Sequence, residues 1–138
     1  MKIERFEDIQ AWQAARELTR LVYALSHKSD FNRDFALCNQ IRAASSSIMA
    51  NIAEGFDGAS DAEFCRFLSY ARRSATEVQS HCYTALDQEY ITASEFEHVY
   101  NKAKDTKGLI GGFIRYLKSS PRKATRSKKP TLTPQTLT

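Results

Sequence analysis

Ser60-Asp61-Ala62-Glu63-Phe64-Cys65-Arg66-Phe67-Leu68-Ser69-Tyr70-Ala71-Arg72-Arg73-Ser74-Ala75, continued through Val78, Cys82 and Ala85, is the stretch that decides the fold. Its first four residues spell a capping box, in which the Ser60 hydroxyl accepts from the third helical amide and Glu63 reaches back to the cap. Phe64, Leu68, Ala71, Ala75, Val78, Cys82 and Ala85 then step 4-3-4-3-4-3. That is a heptad seam, and a helix with such a seam must bury it against other helices.

The same reading extends in both directions. Downstream, Thr92-Ala93-Ser94-Glu95 is a second capping box, followed at helical spacing by Phe96, Val99, Ala103, Thr106, Ile110, Phe113 and Leu117. Upstream, Ile9, Trp12, Ala15, Leu18, Val22 and Leu25 predict a helix over 7–25, and a polar linker, His27 to Asp30, follows it. Leu37, Ile41, Ser45, Ile48 and Ile52 predict another over 34–54, with Gly55 as its stop. Four amphipathic helices on short links predict an all-α, antiparallel up-down-up-down four-helix bundle in residues 1–118. Trp12, Ile41, Leu68 and Ile110 are expected on its axis.

Composition agrees. All three prolines (Pro121, Pro130, Pro134) fall in the last 18 of 138 residues, so nothing upstream breaks a helix. No apolar run is long enough to span a membrane, and the N-terminus lacks an apolar signal core, which together predict a cytoplasmic protein. The net charge of +4 is divided unevenly. Residues 1–118 hold 15 Lys/Arg and 16 Asp/Glu; residues 119–138 hold Arg122, Lys123, Arg126, Lys128 and Lys129 and no acid. This Pro/Thr/Lys-rich tail has too little apolar surface to offset its ordering entropy, so a disordered basic tail is expected. Two roles fit it, a solubilising tail or a polyanion contact. Cys38, Cys65 and Cys82, odd in number and widely spaced, read as thiols of a reducing compartment.

Two helices carry a second face that a solitary bundle does not need. Opposite Ile41 lie Ala43, Ser46, Ser47, Ala50 and Ala53, where Lys and Glu are usual. Opposite Ile110 lie Gly108, Gly111 and Gly112, each costing helix stability. Close approach of another backbone accounts for both, so Ala43, Ser46, Ser47, Ala50, Gly108, Gly111 and Gly112 are the expected self-association surface.

Several stretches resemble one bacterial family. They are Phe6-Glu7-Asp8-Ile9 with Trp12, Gln40-Ile41-Arg42, Ser47-Ile48, and Asn51-Ile52-Ala53-Glu54-Gly55-Phe56, the last being the most specific. Phe64-x-Arg66-Phe67-Leu68, Ala71-Arg72 with Ser74, Ala85-Leu86-Asp87 with Tyr90-Ile91, and Gly112-x-Ile114-Arg115-Tyr116-Leu117 continue the match. The chain resembles, over about residues 4–118, the four-helix-bundle proteins encoded in intervening sequences of large-subunit ribosomal RNA genes. It departs where Met49 replaces a common proline, and where Arg73 and Glu89 replace common glycines. The resemblance implies a ring-shaped homopentamer without catalytic activity. One related branch, the accessory proteins of diversity-generating retroelements, binds nucleic acid and a reverse transcriptase. RNA, DNA or a nucleic-acid enzyme is therefore an expected partner besides a second copy of the chain.

Little else in the sequence carries chemistry. Glu95-Phe96-Glu97-His98 is half of a di-iron Glu-x-x-His signature, but no second copy exists and Glu95 is already the capping acid. His81 and Cys82 are neighbours on a helix and point about 100° apart, which rules them out as a catalytic pair. No metal, cofactor or catalytic residue is assigned. Arg42, Asn51, Glu54, Gly55 and Arg72 are read as a structural polar motif, with Asn51 serving backbone groups and Glu54 pairing with Arg72. Arg66 and Arg73 are expected on a solvated face, paired with Glu63 and Glu77. As the alternative they join Arg115 and the five tail cations as nucleic-acid contacts. Against an oligomeric, nucleic-acid-associated scaffold stands a second class, a small-molecule- or metal-binding bundle.

Overall fold

A computed structural model describes residues 3–58 and 60–119. A 3-10 turn, Phe6–Asp8, precedes helices α1 (Gln10–Ser26), α2 (Ser29–Arg33), α3 (Phe35–Phe56), α4 (Asp61–Asp87) and α5 (Ala93–Ser119). The four long helices form the antiparallel bundle, with α1 packed on α3 and α5, and α4 packed on the same two. The seam of α4 is its centre: Phe64, Leu68, Ala71, Ala75, Val78, Cys82 and Ala85 are all buried. Leu37, Ile41, Ser45, Ile48 and Ile52 of α3 meet it, as do Val99, Ala103, Thr106, Ile110 and Leu117 of α5.

The caps form largely as the sequence spells them. Ser60 accepts from the Glu63 amide at 3.1 Å, while the Glu63 carboxylate pairs with Arg66. Thr92 and Glu95 close a complete box, with bonds of 3.1 and 2.9 Å. Asp34 caps α3 by accepting from Leu37 N at 3.1 Å. At the end of α4, Tyr90 N bonds to Ala85 O and Glu89 N to Leu86 O. This is a Schellman ending, and it holds Glu89 at φ 61°, the left-handed conformation that favours glycine.

Four expectations are corrected. Helix α1 begins at Gln10, because the Asp8 carboxylate accepts from the amides of Glu4 and Arg5 and winds 6–8 into the 3-10 turn. Trp12 is half-buried at the rim, edge-on to Phe6 at 5.2 Å, because the buried stripe of α1 runs through Ala11, Ala14, Ala15, Leu18 and Val22 and leaves Trp12 on its flank. The linker after α1 is not simply polar: it contains α2, whose Phe31 is buried and stacks on Tyr90 at 5.3 Å. Gly55 is not a stop. It lies within α3 and is buried where a Cβ would stand 2.8 Å from both Phe64 Cδ1 and Phe67 Cβ, so it is a point of close approach of α3 to α4.

The basic tail assigned to 119–138 lies outside the described residues except for Ser119, which ends α5. Among the described residues no helix is long and apolar enough to cross a membrane.

Candidate polyanion surface on helices α4 and α5

Antiparallel packing sets residues 64–76 of α4 beside residues 106–119 of α5, a register fixed by Arg72 near Gly111 and by Lys107 bonded to Gln79. Neither segment contains an aspartate or glutamate, and together they hold Arg66, Arg72, Arg73, Lys107, Arg115 and Lys118. Lys107 is half-buried and donates to Gln79 Oε1 at 3.2 Å; the other five are exposed. Tyr70 and Tyr116, 39% and 36% exposed, lie within the same two segments. Exposed rings among cations are what a nucleic-acid strand uses, the rings for stacking and the cations for phosphates.

The individual cations differ from the sequence expectation. Arg66 pairs with Glu63 at 3.4 Å and lies over the Phe67 ring. Arg73 does not pair with Glu77, whose carboxylate turns one helical step the other way to His81 at 3.3 Å; Arg73 instead covers the Tyr70 ring at 5.9 Å. Glu54 does not pair with Arg72, because the Arg72 guanidinium lies on the α5 side of α4, over Gly111. Arg115 reaches the same place from α5. Arg122, Lys123, Arg126, Lys128 and Lys129 lie outside the described residues.

The small-residue faces divide in two. Ala43, Ser46 and Ala50 on α3 are exposed, and so is Gly108, beside which a Cβ would meet nothing within 4 Å. Ser47 leaves the outer face: it accepts from Ser74 Oγ at 3.1 Å and from Asn51, and so belongs to the α3–α4 seam. Gly111 leaves it too, being buried beneath the two arginines, while Gly112 is half-buried beside Arg115. Asn51 donates to Ser47 O at 2.9 Å, a backbone role as read from the sequence, though one turn inside the helix. Arg42 binds Ser26 Oγ at 2.8 Å and lies over the Tyr23 ring at 5.0 Å, joining α3 to α1.

Among the described residues no three His, Cys, Asp or Glu side chains gather as metal ligands. Glu95 is occupied by its cap and by Lys28, whose hydrogen bond holds the carboxyl below its usual range. Burial alone pushes the Cys82 thiol up to about 12, leaving it unreactive at neutral pH. At the far end of the α4–α5 face Tyr83 packs with Phe96 and Tyr100, and the proximity of Tyr100 raises the Tyr83 phenol.

Reading residues one helix at a time missed Arg72, Lys107 and Lys118 as members of this surface. The signal was present in the absence of acids from two segments that a hairpin brings together.

The 23S rRNA-intervening sequence protein family matches residues 7–112. A crystal structure of a protein of unknown function from the S23 ribosomal protein family of Bacteroides thetaiotaomicron superposes with a TM-score of 0.70. It is 25% identical, and the match covers 76% of this chain and 98% of that one. No curated protein is significantly similar. The bundle, its capped helices and the match over most of its length lead to one conclusion: the chain belongs to the 23S rRNA intervening-sequence protein family.

Proposed function

We propose that the protein is a non-catalytic helical scaffold whose α4–α5 face contacts the phosphate backbone of RNA or DNA. The observation that carries this reading is the pairing of two acid-free segments, 64–76 and 106–119, which gather six cations along one hairpin, with exposed Tyr70, packed on Phe67, and Tyr116, packed on Phe113, on its flanks. Clustered cations interleaved with aromatics form the electrostatic footprint of a nucleic-acid binder. The five tail cations add to it. Binding to a labelled single-stranded RNA, followed by fluorescence anisotropy against salt, tests the reading. Six phosphate contacts on a single strand give a log–log slope of about −4, which is a loss of about 300-fold between roughly 50 and 200 mM salt. No binding at the lower salt sinks it.

A second observation favours self-association. The exposed positions of α3 from Ala36 to Ala50 are Ala36, Asn39, Gln40, Ala43, Ser46 and Ala50, with no charge among them. Joining this face to Gly108 and Gly112 of another copy is a heterologous contact, which closes into a ring when the rotation permits. The homopentamer implied by the family resemblance is such a ring. Sedimentation tests it: Ala50→Arg and Gly112→Glu should each leave a helical protein of lower mass. Wild-type mass in both variants rejects these faces as the interface.

A further inference from the structure

Two guanidinium groups from different helices converge over one glycine. A Cβ on Gly111 would stand 3.3 Å from Arg72 Nη1 and 3.6 Å from Arg115 Nη1, and one on Gly112 would stand 3.7 Å from Arg115 Nη2. Only the Arg72 contact is tighter than ordinary packing, so the side chain missing at Gly111 lets the Arg72 guanidinium lie down against the backbone of α5, while Arg115 rests there at ordinary contact distance. Among the described residues neither arginine forms an ion pair or a side-chain hydrogen bond, and the flanking segments contribute no carboxylate. Two like charges are thus held together with nothing to neutralise them. Both Nη1 atoms stand within 3.6 Å of one point, close enough for the oxygens of one tetrahedral oxyanion to reach both, and the planar fork of each guanidinium suits such an anion.

We propose that Arg72 and Arg115, seated on Gly111 and Gly112, form a binding site for a single phosphate group. Only the source of that phosphate, a nucleic-acid strand rather than a free phosphate compound, rests on the function proposed above. Gly111 acts as a positioning residue. It makes no bond to the phosphate and sets where the Arg72 guanidinium lies.

The test uses the full chain and two probes, inorganic pyrophosphate by titration calorimetry and an unphosphorylated 20-nucleotide RNA by anisotropy. The variants are Arg72→Gln, Arg115→Gln, Gly111→Ala and, as a distant charge control, Arg33→Gln. Pyrophosphate affinity should fall at least tenfold in Arg72→Gln and Arg115→Gln, fall about twofold in Gly111→Ala, and stay at the wild-type value in Arg33→Gln. Gly111→Ala is decisive, because it keeps every charge and moves only the flexible end of Arg72; a merely electrostatic surface would not register it. The site is overturned if wild-type protein does not bind pyrophosphate, if Gly111→Ala binds as wild type, or if Arg33→Gln loses as much as Arg72→Gln. RNA affinity that falls in parallel assigns the site to the strand. RNA binding that ignores these variants assigns it to a free phosphate. Absence of RNA binding in the wild type overturns the strand reading while the pyrophosphate result still decides the site.

Discussion

Replacing Gly55 by alanine should destabilise the protein, although alanine is the better helix former. In an exposed helix the exchange gains about 1 kcal/mol. At Gly55 the new methyl would lie 2.8 Å from Phe64 Cδ1 and from Phe67 Cβ, about 0.7 Å inside an ordinary carbon–carbon contact. Neither neighbour can step aside. Phe67 Cβ is fixed to the α4 backbone, and the Phe64 ring is fully buried, edge-on to Phe56 at 6.1 Å and to Phe113 at 5.4 Å. Helices α3 and α4 must therefore part, and overpacking of this kind costs about 2–3 kcal/mol. The net expectation is a loss of about 1–2 kcal/mol. Gly108→Ala is the control: nothing lies within 4 Å, so the chain should gain about 1 kcal/mol. Urea unfolding followed by circular dichroism reads both, and repeating it at two protein concentrations separates the chain from any assembly. A Gly55→Ala protein as stable as the wild type would refute the argument for close approach.

Leu68→Ala removes a fully buried side chain from the centre of the α4 seam and should cost about 2–5 kcal/mol in the same assay; a loss below about 0.5 kcal/mol would mean the seam faces elsewhere. Asp34→Ala removes both the α3 cap and the acceptor of the 3.0 Å bond from the Tyr90 hydroxyl, for a loss of about 2 kcal/mol. That acceptor also holds the Tyr90 phenol above its usual range, so this contribution is present below pH about 10 and fades as pH rises through the folded value. Tyr90→Phe should flatten the alkaline limb of the stability profile. Glu89→Gly, at φ 61°, should stabilise the protein by about 1 kcal/mol, since a left-handed side chain is relieved. Iodoacetamide near neutral pH should label half-buried Cys65 first and reach buried Cys38 and Cys82 only on unfolding, as mass spectrometry would show.

The long helices were legible because each combines a polar cap with an apolar stripe of one period, so local and tertiary signals agree at Ser60, at Thr92 and along Phe64 to Ala85. Illegibility began where meaning depends on a second helix. Gly55 has the look of a helix stop until Phe64 and Phe67 of α4 are placed against it. Ser47 and Gly111 fall near the outer side of an isolated wheel, yet the flank of each is covered by α4. Trp12 stands one helical step from Ala15, yet it falls on the flank of the stripe that α1 buries from Ala11 to Val22. Glu54 and Arg72 have complementary charge, but a guanidinium turns toward whichever neighbour leaves it room, and Gly111 leaves more. The cationic surface was half-visible for the same reason: Arg66, Arg73 and Arg115 stand out singly, while the acid-free pairing that unites them exists only once the α4–α5 hairpin has closed.

The contact of Phe31 and Asp34 with Tyr90 has a mechanical consequence. Together with the ion pair between Lys28 and Glu95 it ties the loop between α1 and α3 to the loop between α4 and α5, at one end of the bundle. At the other end the covalent link from Phe56 to Asp61 joins α3 to α4, while the ion pair that joins α1 to α5, Glu17 with Lys102, lies nearer the middle of the bundle. Breathing of the molecule thus pivots about the tied loops like tongs, and the seam between the start of α1 and the close of α5 gapes first. Amide exchange should follow that gradient, fastest at Ala11 and Leu117 and slowest beside Tyr90.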